Sequence, residues 1–402
     1  MTTRGSNGRP ISQWKLNLPG GTVTHLSEIP WFRGRAFAYA DEDGQINVEL
    51  GEPSPPFSSY FPSDRSGYGV NGMAFAHDAS SRSMGITTPD RTVIHRWSLD
   101  YTRKDTICDE SGGHGIYSTR WGGFMVPMGL DGIVSYRPEI GGWSRQSKDK
   151  LHVRTLGKVF YRMTYVGIAD GTELWACAGR SSGFQVISVD QSHEVHVLGF
   201  YQYSDGFASD FVSLCGVGDS LRPYAAAMLT SDLKLHLIQD LTKDMNPLVV
   251  QVEGIKGVAY SVMRSGDHIV VVTSLGIYVY VNLARTFLNE VNPLEQSRVR
   301  VMSKEAIECV IVHDRWLLTL CVDGVFRFDL NQITELGQST GANAPMISTH
   351  ESPEVPVELD SQPMNANLLM TRSSQGSVFR NDGGSANQIP ARSTRLEYSI
   401  AI

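Results

Sequence analysis

The chain has no apolar run approaching 18 residues, no export-type N-terminus and no excess of positive charge. The first absence excludes a membrane-spanning helix read from hydropathy. The opening residues, Met1 to Gly8, carry no apolar stretch of the kind a secretory leader needs. A net charge of −7 and a pI of about 5.9 argue against sequence-independent binding to nucleic acid or anionic lipid, which needs a basic face. Cysteine is scarce and odd in number: Cys108, Cys177, Cys215, Cys309 and Cys321, with no CxxC pair. Placed in apolar runs, these five read as reduced core thiols and not as a disulfide framework. The expectation is a soluble intracellular protein, cytoplasmic or nuclear, without a membrane.

Chemical signatures are equally sparse. There is no phosphate-cradling GxxxxGK[ST], no GxGxxG leading into a helix, and no HxxxH or HxH pair on a helix among the eleven histidines. His193 and His196 are close in sequence, but no Cys or acidic partner stands at ligand spacing. The segment Cys108-Asp-Glu-Ser111-Gly-Gly-His114 brings serine, acid and histidine together. A nucleophile elbow needs Gly on both sides of the serine at two-residue spacing, which Ser111 lacks, so the segment reads as a Gly-rich connection. No catalytic residue, cofactor or metal site is therefore expected, and the chain reads as non-enzymatic.

What the sequence does contain is a repeated hairpin. Leu320-Cys-Val-Asp323-Gly324-Val-Phe-Arg-Phe-Asp329 is an apolar run, an Asp-Gly turn and an alternating strand. Glycine accepts the positive φ that a tight hairpin turn requires. Related turns fall at Asp43-Gly44, Asp90-Arg91, Asp131-Gly132, Ser182-Gly183, Ser231-Asp232 and Leu275-Gly276, in steps of 41 to 51 residues. Self-similarity at that period, with several strands per unit, is the signature of β-propeller blades. Gly at 39 of 402 residues and Pro at 18 fit such a turn-rich β protein.

The strand after each turn is read as the third of its blade, from Ile46–Leu50 to Val325–Phe328. The short apolar run before it, as in Ile269–Thr273, is read as the second. Innermost and outer strands complete each unit, with the outer strand of the third blade placed at 151–156. The expected fold is all-β: a single seven-bladed propeller of four-stranded blades over residues 11–336. Residues 1–10 are read as a flexible N-terminus. Residues 337–402 are read as a polar, low-complexity, disordered tail with an alternating end, Leu396–Ile402. Leu283–Val291 is the best short helix.

In the second unit, Val70, Ala74, Phe75 and Asp78 precede Asp90 and Thr92-Val-Ile-His-Arg-Trp97-Ser-Leu99. This pattern resembles a degenerate WD-repeat. Ser98 replaces the Asp after the tryptophan, and no Gly-His pair opens the unit. Elsewhere the likeness is one of hairpin and period over roughly residues 11–330. The last blade needs a fourth strand, for which Ile11–Leu18, Val355–Leu359 and Leu396–Ile402 are candidates. The resemblance implies closure by the N-terminal one.

Contact residues are sought where aromatics and arginines stand in loops, since Trp, Tyr and Arg dominate binding hot spots. Phe57, Tyr60 and Phe61 lie in a proline-rich connection, Arg120 and Trp121 at the end of the strand read over 115–121, and Arg137 and Trp143 in a stretch read as a surface loop. Arg33 and Arg35 read as rim charges. The function expected is a scaffold or adaptor that binds other protein subunits or peptide segments within a multi-subunit complex. The alternatives are a hydrolase-like enzyme with its site at the central channel mouth, and a subunit of a nucleic-acid-associated complex docked through protein contacts.

Overall fold

All seven hairpin turns join the second and third strands of a four-stranded sheet. The computed structural model describes residues 3–4, 10–11, 13–18, 21–29, 36–42, 45–50, 59–60, 70–100, 104–110, 112–129, 132–139, 142–147, 160–179, 183–202, 206–215, 222, 224–243, 247–252, 257–289, 298–302, 305–312 and 314–339. Blade 1 comprises Val23–Ile29, Ala36–Asp41, Ile46–Leu50 and Ser59–Tyr60. Blade 2 comprises Gly72–His77, Ser81–Thr87, Thr92–Ser98 and Lys104–Asp109. Blade 3 comprises Tyr117–Ser118, Phe124–Pro127, Ile133–Glu139 and Gly142–Ser147. Blade 4 is Phe160–Ala169, Thr172–Gly179, Gly183–Val189 and Val195–Gln202.

Blade 5 is Ala208–Ser213, Ala226–Thr230, Lys234–Ile238 and Leu248–Gln251. Blade 6 is Ala259–Ser265, His268–Thr273, Gly276–Tyr280 and Arg298–Met302. Blade 7 is Glu308–Val312, Trp316–Cys321 and Gly324–Asp329, completed by Gln13–Lys15 from the start of the chain. The N-terminal segment therefore closes the ring, pairing Trp14 with Arg327 and Lys15 with Phe326.

First strands of neighbouring blades touch one another, which places them innermost around the axis. Antiparallel order then sends the second-to-third hairpins to one face, here the upper. The first-to-second and third-to-fourth turns go to the lower face. Seven buried apolar clusters fill the seven junctions, including the one between blades 7 and 1. Sheets packed on both faces explain why second strands such as Ile269–Thr273 read as unbroken apolar runs. Thr87, Thr230 and Thr273 end second strands and are fully buried. The Thr230 hydroxyl donates to the Lys234 carbonyl across its hairpin, and the Leu275 N–H donates to the Thr273 hydroxyl.

Several expectations need correction. The outer strand of blade 3 is Gly142–Ser147, paired with Ile133–Glu139, so the stretch read as a surface loop is a hairpin. Antiparallel ladders leave alternate pairs without hydrogen bonds, and this tolerates Pro138 opposite Trp143. Residues 151–156 lie outside the described set. Tyr60 is likewise in a strand, opposite Ile46. Thr3–Arg4 pairs with Pro10–Ile11 within the stretch read as flexible. A helix at Leu330–Ser339 crosses the expected domain limit at 336. Its start is capped by the Asp329 carboxylate, which accepts the Asn331 N–H at 3.0 Å, and Leu330 and Ile333 are buried in the junction of blades 6 and 7. The remainder of the predicted tail lies outside the described residues. The other predicted helix forms over Leu283–Leu288. All five cysteines are free, but Cys108 is exposed on its outer strand and not in the core.

Candidate interaction face

Charged groups stand at one repeated position of the innermost strands. In blades 1, 4, 5 and 6 a β-bulge shifts the register just after the start of the first strand: between Val23 and His25, Phe160 and Arg162, Ala208 and Asp210, Ala259 and Ser261. A bulge inserts one residue and re-aims the side chains that follow. His25, Arg162 and Asp210 thereby come to lie opposite the penultimate residue of their second strands, Ala40, Ala178 and Leu229. Glu308 of blade 7 stands at the same position, opposite Leu320, in a ladder without a register shift.

These side chains tie blade to blade. The Asp210 carboxylate accepts the Val262 N–H of blade 6 at 2.9 Å and lies 3.2 Å from the Arg162 guanidinium of blade 4. Arg162 also donates to the Tyr260 carbonyl at 2.6 Å. Glu308 accepts the Leu26 N–H of blade 1 at 2.6 Å and sits 2.9 Å from His25 Nδ1. Tyr260 donates its hydroxyl to Glu305. Burial raises the Asp210 carboxyl above the usual carboxylate range, opposed by Arg162 and two backbone N–H groups. Burial likewise pushes the Tyr117 hydroxyl up to about 12.

A second constellation lies on the lower face, where blades 3 and 4 meet. Glu173, almost fully buried at the start of a second strand, accepts the Arg120 N–H at 2.8 Å and the Trp175 indole N–H at 3.1 Å. Burial raises its carboxyl, and these two donors oppose the rise. Trp175 meets the rings of Tyr165 and Tyr117 edge-on, at 5.7 and 6.4 Å. A further bulge between Tyr165 and Gly167 keeps Ile168 opposite Glu173. Tyr165 and Ile168 are 37% and 38% exposed, well above their core neighbours. Arg120 is exposed, with its guanidinium 5.9 Å over the half-buried Trp121 ring.

His193 seals the same junction from blade 4. Its Nε2 lies 2.9 Å from the Thr119 hydroxyl, its carbonyl accepts the Ser135 hydroxyl, and its ring is edge-on to Trp121 at 6.0 Å. Only glycine fits at 123, since a Cβ there would stand 2.2 Å from His193 Nε2. Burial, aided by the nearby positive Arg137, lowers the His193 ring to about 4; burial alone does the same to His95. His193 is thus a neutral core imidazole.

Of the predicted contact residues, the structure brings Arg120, Trp121 and Arg137 together around His193. Trp143 is on the outer strand of blade 3, opposite Pro138, and Tyr60 on that of blade 1, opposite Ile46. Phe57, Phe61, Arg33, Arg35 and Ser111 lie outside the described residues. Tyr165 and Ile168 escaped notice because the sequence presents them as ordinary inner-strand residues. One metal expectation changes: Asp190 and Glu194 do approach His196, with one ligand atom from each of the three within 4.8 Å of one another. The trio is solvent-facing, and Asp190 Oδ1 is occupied by the Ser192 hydroxyl and the Glu194 N–H of its own turn.

Neither a protein-family model nor a curated protein sequence matches this chain. Solved structures do. The β-propeller domain of Cps50 (Swd1) from Myceliophteria thermophila superposes with a TM-score of 0.53 at 9% identity, covering 79% of this chain and 99% of that one. Sqt1 from Chaetomium thermophilum gives 0.57 at 10% identity over 80% and 85% of the two chains. Sqt1 from Saccharomyces cerevisiae gives 0.53 at 13% identity over 76% and 84%. At such identities the likeness is one of fold. Taken with seven four-stranded sheets closed by an N-terminal strand, it makes this chain a WD-repeat-like seven-bladed β-propeller.

Proposed function

We propose that this protein is a non-enzymatic propeller adaptor that mediates protein–protein contacts within a multi-subunit complex. The observation that carries this reading is a contrast in how its polar groups are used. The charges of the inner strands are engaged with the next blade, where they hold the ring. The lower face instead turns a guanidinium, an indole, a phenol and an isoleucine outward together. Rigid aromatics beside arginine are the composition of binding hot spots, not of proton transfer. Five unpaired thiols fit a reducing, intracellular setting in cytoplasm or nucleus.

The test is affinity purification of the tagged full chain from its native cell, with mass spectrometry of the eluate. A stoichiometric set of co-purifying subunits is expected. A protein recovered alone, at native abundance and mild salt, would overturn the adaptor reading.

A further inference from the structure

Most arginines with a described ion pair are neutralised within the fold. Arg91, Arg96, Arg162, Arg285 and Arg315 stand 2.8 to 3.7 Å from Asp90, Asp78, Asp210, Asp267 and Asp329. Arg120, like Arg264, Arg300 and Arg327, has no carboxylate within ion-pair distance among the described residues. The one acid beside it, Glu173, is occupied by the Arg120 backbone N–H and the Trp175 indole. Its guanidinium is held over Trp121 with its donors unused. Arg264, by contrast, uses a terminal nitrogen to donate to the Cys215 carbonyl at 3.0 Å.

Resting on the adaptor reading, we propose that the lower face at the junction of blades 3 and 4 docks an extended peptide segment of a partner protein. A carboxylate of that segment pairs with Arg120, and a neighbouring apolar side chain packs on Tyr165 and Ile168. The guanidinium fork matches a carboxylate in two parallel hydrogen bonds, a stronger pairing than a single contact. Stacking on Trp121 pre-orients it, which lowers the entropic cost of forming those bonds. Tyr165 and Ile168 supply the apolar area. A polyanion such as RNA fits less well, because the lower-face turns of blade 4 carry Asp170, Asp190 and Glu194 and the whole chain is at −7. One carboxylate in an apolar context meets the face; a phosphate backbone meets repulsion along it.

The experiment pans a display library of random linear peptides against the full chain, then measures binding of the enriched consensus peptide by fluorescence polarisation. Enriched peptides are expected to carry Asp or Glu beside an aromatic or branched aliphatic residue. Arg120→Glu and Ile168→Asp are expected to weaken binding about tenfold or more. Val322→Asp, on an upper-face hairpin, is expected to leave it unchanged. Should Arg120→Glu unfold, Arg120→Ser decides, since it keeps the backbone N–H to Glu173. No enrichment, peptides without an acid, or affinity indifferent to residue 120 would overturn the proposal. So would binding of labelled polyuridylate that depends on Arg120 and displaces the peptide. Purification of the tagged Arg120→Glu chain separates the two readings. Subunits retained in full remove this face and leave the adaptor standing; a wild-type chain recovered alone removes both.

Discussion

The junction between blades 5 and 6 and the closing junction between blades 7 and 1 use the same device with different partners. In both, an inner-strand carboxylate at the same register accepts an N–H of the following blade: Asp210 from Val262, Glu308 from Leu26. Asp210 is further paired with Arg162, a group that stays charged at any working pH. Glu308 is paired with the His25 imidazole, 2.9 Å from Nδ1. A third junction, between blades 3 and 4, relies on the buried ring of His193 and carries no ion pair at that contact. Covalently consecutive blades can lean on permanent charge. The seam that joins chain ends, and the one beneath the candidate face, lean on imidazole. Acid should therefore loosen the ring where a buried neutral imidazole seals it, as His193 does between blades 3 and 4.

That loosening gives the largest expected effect. His95 and His193 stay neutral in the folded state down to about pH 4, whereas the unfolded chain takes up protons at their ordinary value of 6.5. Between those limits the unfolded state binds more protons, so stability is present above pH 6.5 and is lost as pH falls toward 4. Each ring contributes about 3 kcal/mol to that loss. Urea unfolding at pH 7 and pH 4.5 measures it, and His193→Gln should be less stable at pH 7 but flatter with pH. An acid slope identical to wild type would break the comparison.

Next in size is the cost of removing each carboxylate. Asp210→Ala strands the Val262 N–H and leaves Arg162 without its acid, for a loss of about 3 kcal/mol. Glu308→Ala strands one N–H and leaves the His25 imidazole without its carboxylate, and about 2 kcal/mol is expected. Equal losses in denaturant titrations would mean that the permanent charge adds nothing. Smaller again is Gly324→Val, at about 2 kcal/mol or below. Gly324 has φ +123°, a region closed to β-branched residues, and a Cβ there would stand 2.9 Å from Lys15 Cε on the closing strand. An unchanged melting temperature would show that the closing strand yields freely.

The frame of this fold is legible in the sequence because each blade announces itself at a turn, where backbone geometry restricts residue choice. Asp323-Gly324 and Leu275-Gly276 mark their hairpins to the residue, and Arg298–Met302 begins with the alternation that a half-buried strand requires. The inner belt is not legible. His25, Arg162, Asp210 and Glu308 are single charges in otherwise ordinary strands, and only the ladder register reveals that they occupy one position. The bulges that set that register for His25, Arg162 and Asp210 have no residue signature at Thr24, Tyr161 or Ser209. The candidate face was half legible. Arg120, Trp121 and Arg137 stand out as residue types, but Tyr165 and Ile168 become surface only through the Val166 bulge. Pro138 hid the outer hairpin of blade 3 by disguising a ladder as a loop.

The closing seam offers the finest test of the comparison. Its outer strand has only three paired residues, Gln13–Lys15, against six in the strand it joins. What supplements those few hydrogen bonds is a stack across three strands. Arg327 lies 5.2 Å from the Trp14 ring and 4.5 Å from the Trp316 ring, the two indoles meet edge-on at 6.0 Å, and Arg315 covers Trp316 at 4.5 Å. Trp14 is 38% exposed, so a cation–π contact there is screened, and Trp14→Leu should cost about 1 kcal/mol. Arg327→Met removes the cation while keeping the apolar stem, and in the double variant the two losses should fall short of adding by about 0.5 kcal/mol. Strict additivity would mean that the stack is only burial, and that the Glu308 carboxylate and the apolar cluster between blades 7 and 1 hold the ends of this ring together without it.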